Sequence, residues 1–433
     1  MNRLEASARR LDEPSRRDFL SRCAAGFLGV SVLPLRRPDS PAVDSFAGTA
    51  RRVIYLFMSG GMSHLDSFDP KSKESGVMGS TEVIATNVDG IRVGSLWSNV
   101  ARQMDKIAVV DSMWTNQGAH AQGRYIMHTS YALRGTIRHP SLGAWSSKLC
   151  GQANPGLPAH VSVGSSDTYG PSAGYFESRH APLPIGDPED GLQNAKLAKG
   201  VDEERFRRRL ARVDAMDRAF ESRYGGEQGV QSYAEAYDQA VHLMRSSDLA
   251  AFDLAQEPDA IRDAYGRDSF GQGVLLARRL AEHGVRFIEV TSDGWDHHND
   301  IFDSLEDRVP PVDRALAALL SDLEARGMLD DTLVVLGTEF GRTPEITRDR
   351  NGRNHHAKAF SCLLAGGGIR GGQVHGRSDE RGDEIVEDKV RVVDFNATIA
   401  HAIGIPHDFV VHSPSGRPFK VADDGRPVMA LFA

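Results

Sequence analysis

Residues 285–298 read Val-Arg-Phe-Ile-Glu-Val-Thr-Ser-Asp-Gly-Trp-Asp-His-His, a short apolar run that leads into a cluster of acidic and histidine residues. Two more stretches share this arrangement, because Leu333–Leu336 precedes Glu339 and Asn354-His355-His356 precedes Phe360–Leu364. Short apolar runs of this kind predict buried strands. The loops beyond the carboxyl ends of parallel strands converge on one edge of an α/β sheet, so residues distant in sequence can meet there. Carboxylates and imidazoles that meet in this way can bind a divalent metal.

Strands and helices alternate along most of the chain. This alternation predicts an α/β fold, with a mainly parallel sheet sandwiched between helices. From residue 165 to about 200 the chain is rich in Gly and Pro, and charged helical patterns follow, so we predict that 165–265 is an insertion over the sheet edge. Outside the insertion, the expected strands are Val53–Phe57, Ile107–Val110, Val161–Val163, Val285–Val290, Thr332–Leu336 and Phe360–Leu364, and the expected helices are Ala119–Leu133, Phe270–His283, Val312–Arg326 and Asp394–Ile403.

Composition narrows the class of protein. A chain of 433 residues with 40% hydrophobic content can form one large domain, which we place at residues 51–433. The net charge of -8, without a basic block, argues against a nucleic-acid partner. Three cysteines, of which Cys23 lies near the N-terminus, exclude a disulfide framework but leave one Cys150–Cys362 bridge open.

The N-terminal segment carries a targeting pattern. Ser15-Arg16-Arg17-Asp18-Phe19-Leu20 precedes a mildly apolar stretch at 23–35 that is too short to span a bilayer stably. This segment resembles a twin-arginine export signal, which we assign to residues 1–50 together with a linker. No other segment is apolar enough to cross a membrane. We therefore expect a mature protein without a transmembrane segment, in the periplasm or outside the cell.

The spacing of the acidic and histidine residues resembles that of the alkaline phosphatase superfamily. Asp293-x-x-x-His297 follows one strand, Glu339 follows the next, and His355 comes before a third. More narrowly, the segments at 60–70, 294–296, 339–344 and 365–372 resemble an exported bacterial family known as domain of unknown function 1501. The resemblance implies an alkaline-phosphatase-like fold and a metal site of Asp293, His297, Glu339 and His355. Zinc or manganese, as one or two ions, is the implied cofactor.

The chain also departs from the superfamily pattern. The superfamily's Asp-His pair reads Glu339-Phe340, and Ser59-Gly60 stands where phosphatases place a metal-binding aspartate. Asp66 or His64 in the first turn could replace the missing ligand, since carboxylate and imidazole both suit such ions. These departures leave a full two-metal site in question.

Two residues compete for the role of nucleophile. Asp111-Ser112 resembles the Asp-Ser pair of alkaline phosphatases, whose serine attacks phosphorus, whereas an alignment of Met127-His128-Thr129 with the sulfatase pattern puts His120 in that position. Thr115 is a third candidate. Arg342 could bind an ester anion through its two-pronged guanidinium or pair with Glu339.

Two functional hypotheses follow. The first is an exported metal-dependent hydrolase of phosphate or sulfate esters, acting on a small-molecule or glycan substrate. The second is a non-catalytic member of the superfamily that binds an anionic glycan or a partner protein at the cell surface. The four retained candidate ligands favour an enzyme. The missing imidazole at Phe340 and the missing aspartate in the first turn favour a non-catalytic binding protein. The sequence leaves the oligomeric state open.

Overall fold

The computed structural model describes residues 48–164, 168–193 and 246–433, with the short stretches 195, 201–202, 204–213, 240–241 and 243–244 between them. The predicted export signal at 1–50 lies almost entirely outside the described residues. The predicted insertion at 165–265 is described in parts, one of which is a helical stretch at 204–213. Both assignments stay predictions.

Within the described residues, a nine-stranded sheet forms the centre of the fold. Numbered along the chain, the strands are β1 Arg52–Ser59, β2 Val83–Ala85, β3 Arg92–Gly94, β4 Ile107–Trp114, β5 His160–Val163, β6 Leu183–Ile185, β7 Phe287–Asp293, β8 Thr332–Thr338, β9 Gly341–Arg342, β10 His355–His356, β11 Phe360–Ala365, β12 Gln373–His375, β13 Arg377–Ser378, β14 Ile385–Glu387, β15 Val390–Arg391, β16 Val411–His412 and β17 Pro418–Phe419. The central sheet runs in the order β12-β4-β11-β8-β1-β7-β5-β6, and β15 also pairs with β4. The remaining strands form two-stranded pairs outside it.

Strand direction brings several chain segments to one edge of the sheet. β1 is parallel to β7 and β8, β5 is parallel to β6 and β7, and β4 is parallel to β12 and β15. β11 is antiparallel to both β4 and β8. The carboxyl ends of β1, β4, β7 and β8 therefore share an edge with the start of β11. The predicted α/β class with a mainly parallel sheet is confirmed.

Helices cover both faces of the sheet. They are α1 His120–Thr129, α2 Leu142–Cys150, α3 Asp259–Tyr265, α4 Ser269–Glu282, α5 Ile301–Ala325 and α6 Val392–Ala402. On one face, His128 of α1 packs edge-on against Phe57, with 4.6 Å between ring centroids. On the other face, α4 approaches so closely that a Cβ at Gly273 would lie 3.1 Å from Val290. Within the described part of the chain, no helix is long and apolar enough to cross a membrane.

The helix boundaries differ from the sequence expectation at two places. α5 begins at Ile301 rather than at Val312 and contains Pro310 and Pro311, which a helix interior normally disfavours by about 3 kcal/mol or more. Leu305, Val309 and Val312 are all buried on its inner face, and this packing keeps the helix continuous across the prolines. The helix expected at 119–133 ends at Thr129, because Ser130 adopts a left-handed conformation with φ 67°.

Within the described residues, Cys150 and Cys362 are free thiols. Cys362 is buried in β11, and Cys150 ends α2. The bridge that the sequence left open does not form.

Candidate metal centre

Three side chains meet at the edge where β4, β7 and β8 end. His120 is the first residue of α1, Asp296 lies in the loop after β7, and His355 belongs to the short strand before β11. One ligand atom from each lies within 4.8 Å of the others. Among the residues that the structure describes, this is the group of acidic, cysteine or histidine side chains with the spacing of a metal site.

The carboxylate of Asp296 is the centre of this group. Its Oδ2 lies 3.3 Å from Nε2 of His120, and its Oδ1 lies 3.2 Å from Nε2 of His355. A fourth side chain, His298, places its Nε2 3.1 Å from the same Oδ1 and 3.0 Å from Nε2 of His355. Three imidazole Nε2 atoms thus converge on one carboxylate.

Glu339 determines which ring nitrogen of His120 donates a hydrogen bond. This glutamate follows β8 and is fully buried, and its Oε1 lies 2.9 Å from Nδ1 of His120. The same oxygen accepts a hydrogen bond from the backbone N–H of Gly60 at 2.8 Å. Because a carboxylate only accepts, Nδ1 of His120 donates the hydrogen of this bond, and in the neutral imidazole Nε2 then carries the lone pair. Nε2 of His120 is buried without a hydrogen-bond partner.

The other two imidazoles are held in the same way. Nδ1 of His355 lies 2.9 Å from the carbonyl oxygen of Gly118, which can only accept. Nδ1 of His298 lies 3.2 Å from Oδ1 of Asn354. When these imidazoles are neutral, each directs its Nε2 lone pair at Asp296.

Lone pairs that converge on a carboxylate repel one another unless a cation lies between them. A tetrahedral zinc site with Zn–N bonds of about 2.05 Å separates neighbouring ligand atoms by roughly 3.3 Å, close to the contacts around Asp296. The donor set therefore fits a divalent metal.

Arg342 holds Asp296 in place. Its guanidinium is fully buried, and Nη2 lies 2.5 Å from Oδ1 of Asp296. Burial alone would raise the pKa of Asp296, but the hydrogen bond and charge of Arg342 outweigh it and keep that pKa well below the ordinary value. Nη2 also donates to the carbonyl of Gly60, while Nε donates to the carbonyl of Gly61 and Nη1 to that of Arg353. We predicted that Arg342 would bind an ester anion or pair with Glu339, and the structure directs these donors to Asp296 and the backbone instead.

The first turn approaches the site through its backbone. Gly60 has φ 128°, and a Cβ there would lie 2.5 Å from the backbone nitrogen of Asp296, so only glycine fits.

Asp66 and His64, the two side chains considered as substitute ligands, make other contacts. Asp66 forms a buried ion pair with Arg353, with Nε–Oδ2 2.9 Å, and Nε2 of His64 bonds the carbonyl of Gly382 at 2.8 Å.

The structure brings together a different group of side chains from the four predicted ligands. Of the four predicted ligands, His355 joins the group, and Glu339 contacts it from outside through His120. Asp293 is exposed at the end of β7, and His297 is buried with neither ring nitrogen hydrogen-bonded, so neither joins the group. Burial lowers the pKa of His297 to about 4.

The sequence analysis did not select Asp296 and His298, although both lie within the quoted stretch. The burial of Trp295 decides which of these neighbours faces the site. Its ring is fully buried, its Nε1 donates to Oγ of Ser292 at 3.1 Å, and its carbonyl accepts from Arg342 at 3.3 Å. With the loop held there, the carboxylate of Asp296 faces His120 and His355.

The structure places the three candidate nucleophiles in different surroundings. His120 lies in the group, whereas Ser112 is fully buried in β4 and donates its hydroxyl to the carbonyl of Asp388 at 2.7 Å. Thr115 is also buried, and its Oγ1 accepts from the backbone N–H of Gln117 at 3.3 Å. The arrangement therefore brings His120 rather than Ser112 to the candidate centre.

The fold and site define an α/β protein with a candidate cation centre at the edge of its sheet. The chain belongs to the family described as "Protein of unknown function (DUF1501)", whose model matches residues 50–432. A search of curated proteins gave no match.

Solved structures with similar folds include two bacterial proteins with a TM-score of 0.42. One is a protein in the alkaline phosphatase superfamily from Vibrio parahaemolyticus, with 10% identity over 97% of this chain and 80% of the other. The second is the PsFucS1 sulfatase from Pseudoalteromonas sp., with 14% identity over 96% of this chain and 76% of the other. The lipoteichoic acid synthase LtaP from Listeria monocytogenes has a TM-score of 0.39 and 9% identity over 90% and 79% of the two chains.

Proposed function

We propose that this protein is an exported, metal-dependent hydrolase of phosphate or sulfate esters, with one divalent cation bound by His120, Asp296 and His355. The observation that carries the proposal is the convergence of imidazole Nε2 atoms on the Asp296 carboxylate, each imidazole being held by an acceptor at Nδ1. Such outer acceptors fix the tautomer of metal-binding histidines and strengthen them as ligands. Zinc or manganese suits this set of imidazoles and carboxylate.

The residues around the centre have separate tasks. Glu339 orients His120, and Arg342 orients Asp296. When bound, a divalent cation supplies Lewis-acid polarisation of an ester oxygen. The group lies at the N-terminus of α1, where no side chain caps the helix and the helix dipole favours a negatively charged ligand. An anionic ester is therefore the class of substrate that this edge of the sheet can bind.

Water is the nucleophile that these residues can serve. The hydroxyl groups of Ser112 and Thr115 are buried and occupied by other contacts. If His120 binds the cation, its Nε2 cannot also attack phosphorus or sulfur. The proposal is thus direct hydrolysis, in which water displaces the alcohol and no covalent enzyme intermediate forms.

One observation favours the non-catalytic alternative, a protein that binds an anionic glycan or a partner protein. Nε2 of His298 is close enough to Asp296 and His355 to be a fourth ligand. Four protein ligands around zinc define a structural site, whereas catalytic sites keep one position open.

Two measurements on purified protein test the proposal. Elemental analysis should give about one equivalent of a transition metal per chain, and the loaded protein should hydrolyse at least one of a panel of aryl phosphate, phosphodiester and aryl sulfate substrates. His120→Ala should lose both the metal and the activity. Metal without turnover on any substrate would support the binder, and a chain that takes up no metal would rule out both the centre and the hydrolase.

A further inference from the structure

The four side chains around the candidate centre are not anchored equally. His120 is held by Glu339, which is fully buried and itself bonded to the backbone of Gly60. Asp296 is held by the fully buried Arg342. These anchors lie inside the protein, where they cannot exchange with water.

His355 is also firmly placed. Its Nδ1 bonds the backbone carbonyl of Gly118, and its ring packs on the fully buried Phe340 with 4.7 Å between centroids. A second ring, that of His120, packs edge-on against it at 4.4 Å. Rotation of His355 would therefore break packing as well as a hydrogen bond.

His298 differs from the other three. Its Nδ1 partner is the side chain of Asn354, an exposed residue, at the longer distance of 3.2 Å. The exposed fraction of the His298 side chain, 30%, is close to the 27% of His120 and the 24% of His355, so its anchoring partner is what sets it apart. A bond to an exposed amide competes with water, so this ring can leave its position at low cost.

The backbone of His298 is fixed even though its side chain is not. Its N–H donates to the carbonyl of Asp296 at 3.0 Å, and a Cβ at Gly352 would lie 2.0 Å from its carbonyl oxygen. Movement of His298 is thus confined to rotation of the side chain. Rotation outward removes Nε2 from Asp296 and His355 and leaves the other three ligands where they are.

We propose that His298 is an exchangeable fourth ligand, which closes the cation centre at rest and rotates outward when an oxyanion binds in its place. This inference rests on the proposed metal centre. It also reconciles the two hypotheses for this chain, since a site closed at rest becomes a site with one open position. The class of ligand that displaces His298 is a phosphate or sulfate oxyanion, because these bind a divalent cation through oxygen.

The test compares wild type, His298→Ala and His355→Ala, each titrated with Co²⁺ as a coloured substitute for zinc. Wild type should show the intense visible absorption of four-coordinate cobalt. His298→Ala should keep cobalt, with an affinity lowered by no more than about 100-fold, the upper end of the cost of losing a supporting partner. Its absorption spectrum should differ from that of wild type, because a water oxygen replaces the imidazole nitrogen of His298 at the open position. His355→Ala should lose cobalt.

Binding of inorganic phosphate to the cobalt-loaded proteins provides a second readout that does not depend on activity. Suppose that His298 occupies the fourth position in about nine-tenths of wild-type molecules, so that about one-tenth can bind phosphate. His298→Ala leaves every molecule open, and its phosphate affinity should be roughly tenfold higher. A spectrum and a phosphate affinity equal to those of wild type would show that His298 is no ligand. Loss of cobalt as complete as in His355→Ala would show that it is a permanent one. Wild type that binds no cobalt would instead contradict the metal centre itself.

Discussion

Replacing Asp296 by Asn removes the negative charge on which the three imidazoles converge. Loss of an outer partner of a metal ligand costs about 10- to 100-fold in metal affinity, so loss of the ligand charge itself should cost at least about 100-fold. This corresponds to roughly 3 kcal/mol of binding free energy. The cost in folding stability should be much smaller, about 1 kcal/mol or less, because the Asp296 side chain is 46% exposed and Arg342 keeps its backbone acceptors.

Competition titration with a zinc-sensitive dye measures this change directly. Asp293→Asn is the matched control, since it makes the same chemical change three residues away at an exposed carboxylate outside the group. Zinc affinity in the control should stay within about threefold of wild type, as expected for a screened surface charge. Equal losses in the two variants, or a larger loss in Asp293→Asn, would refute the assignment of Asp296 and restore the predicted Asp293 as the ligand.

Three further predictions concern stability and export. Arg353→Met should lower the free energy of unfolding by about 3–5 kcal/mol in urea titrations, because it leaves the buried Asp66 carboxylate without its cation; a loss below about 1 kcal/mol would contradict this. Burial lowers the pKa of His160 to about 3, so the unfolded chain binds the extra proton between pH 6 and pH 4, and stability falls as the pH falls. His160→Gln should flatten that dependence by up to ~1.4 kcal/mol per pH unit, and an unaltered pH dependence in this variant would contradict the assignment. Replacing Arg16–Arg17 by two lysines should retain the precursor in the cytoplasm in a fractionation blot, and normal export would refute the twin-arginine assignment.

The sequence predicts the framework of the fold well because its buried strands are apolar on both faces. Val53–Phe57 and Leu333–Leu336 are continuous apolar runs, and each forms the buried part of a parallel strand in the structure. The start of α5 could not be predicted in this way. Local rules place a helix start after Pro310 and Pro311, and only the tertiary packing of Leu305 and Val309 extends the helix back across them.

The position of the candidate site could be predicted from the sequence, but the residues that form it could not. That the loops after β7 and β8 and the segment before β11 meet follows from strand order, and His355 does lie there. The choice of Asp296 over Asp293 depends on contacts of Trp295 and Arg342, which join segments far apart in the sequence. Strand alternation alone cannot supply that information.

The choice between Ser112 and His120 has a similar cause. β4 continues to Trp114, past the point expected from its apolar run, so Ser112 lies within the strand and not at the turn after it. The following helix begins at His120, beyond the end of the strand, and the imidazole of His120 contacts Asp296 at the edge of the sheet.

An anomalous-diffraction map from crystals of zinc-loaded protein, recorded at the zinc edge, tests the central claim most directly. We expect one peak within about 2.2 Å of a carboxylate oxygen of Asp296 and of Nε2 of His120 and His355. A peak bound instead by Asp293 and His297, or well-ordered density for His120, Asp296 and His355 with no peak between them, would contradict the account.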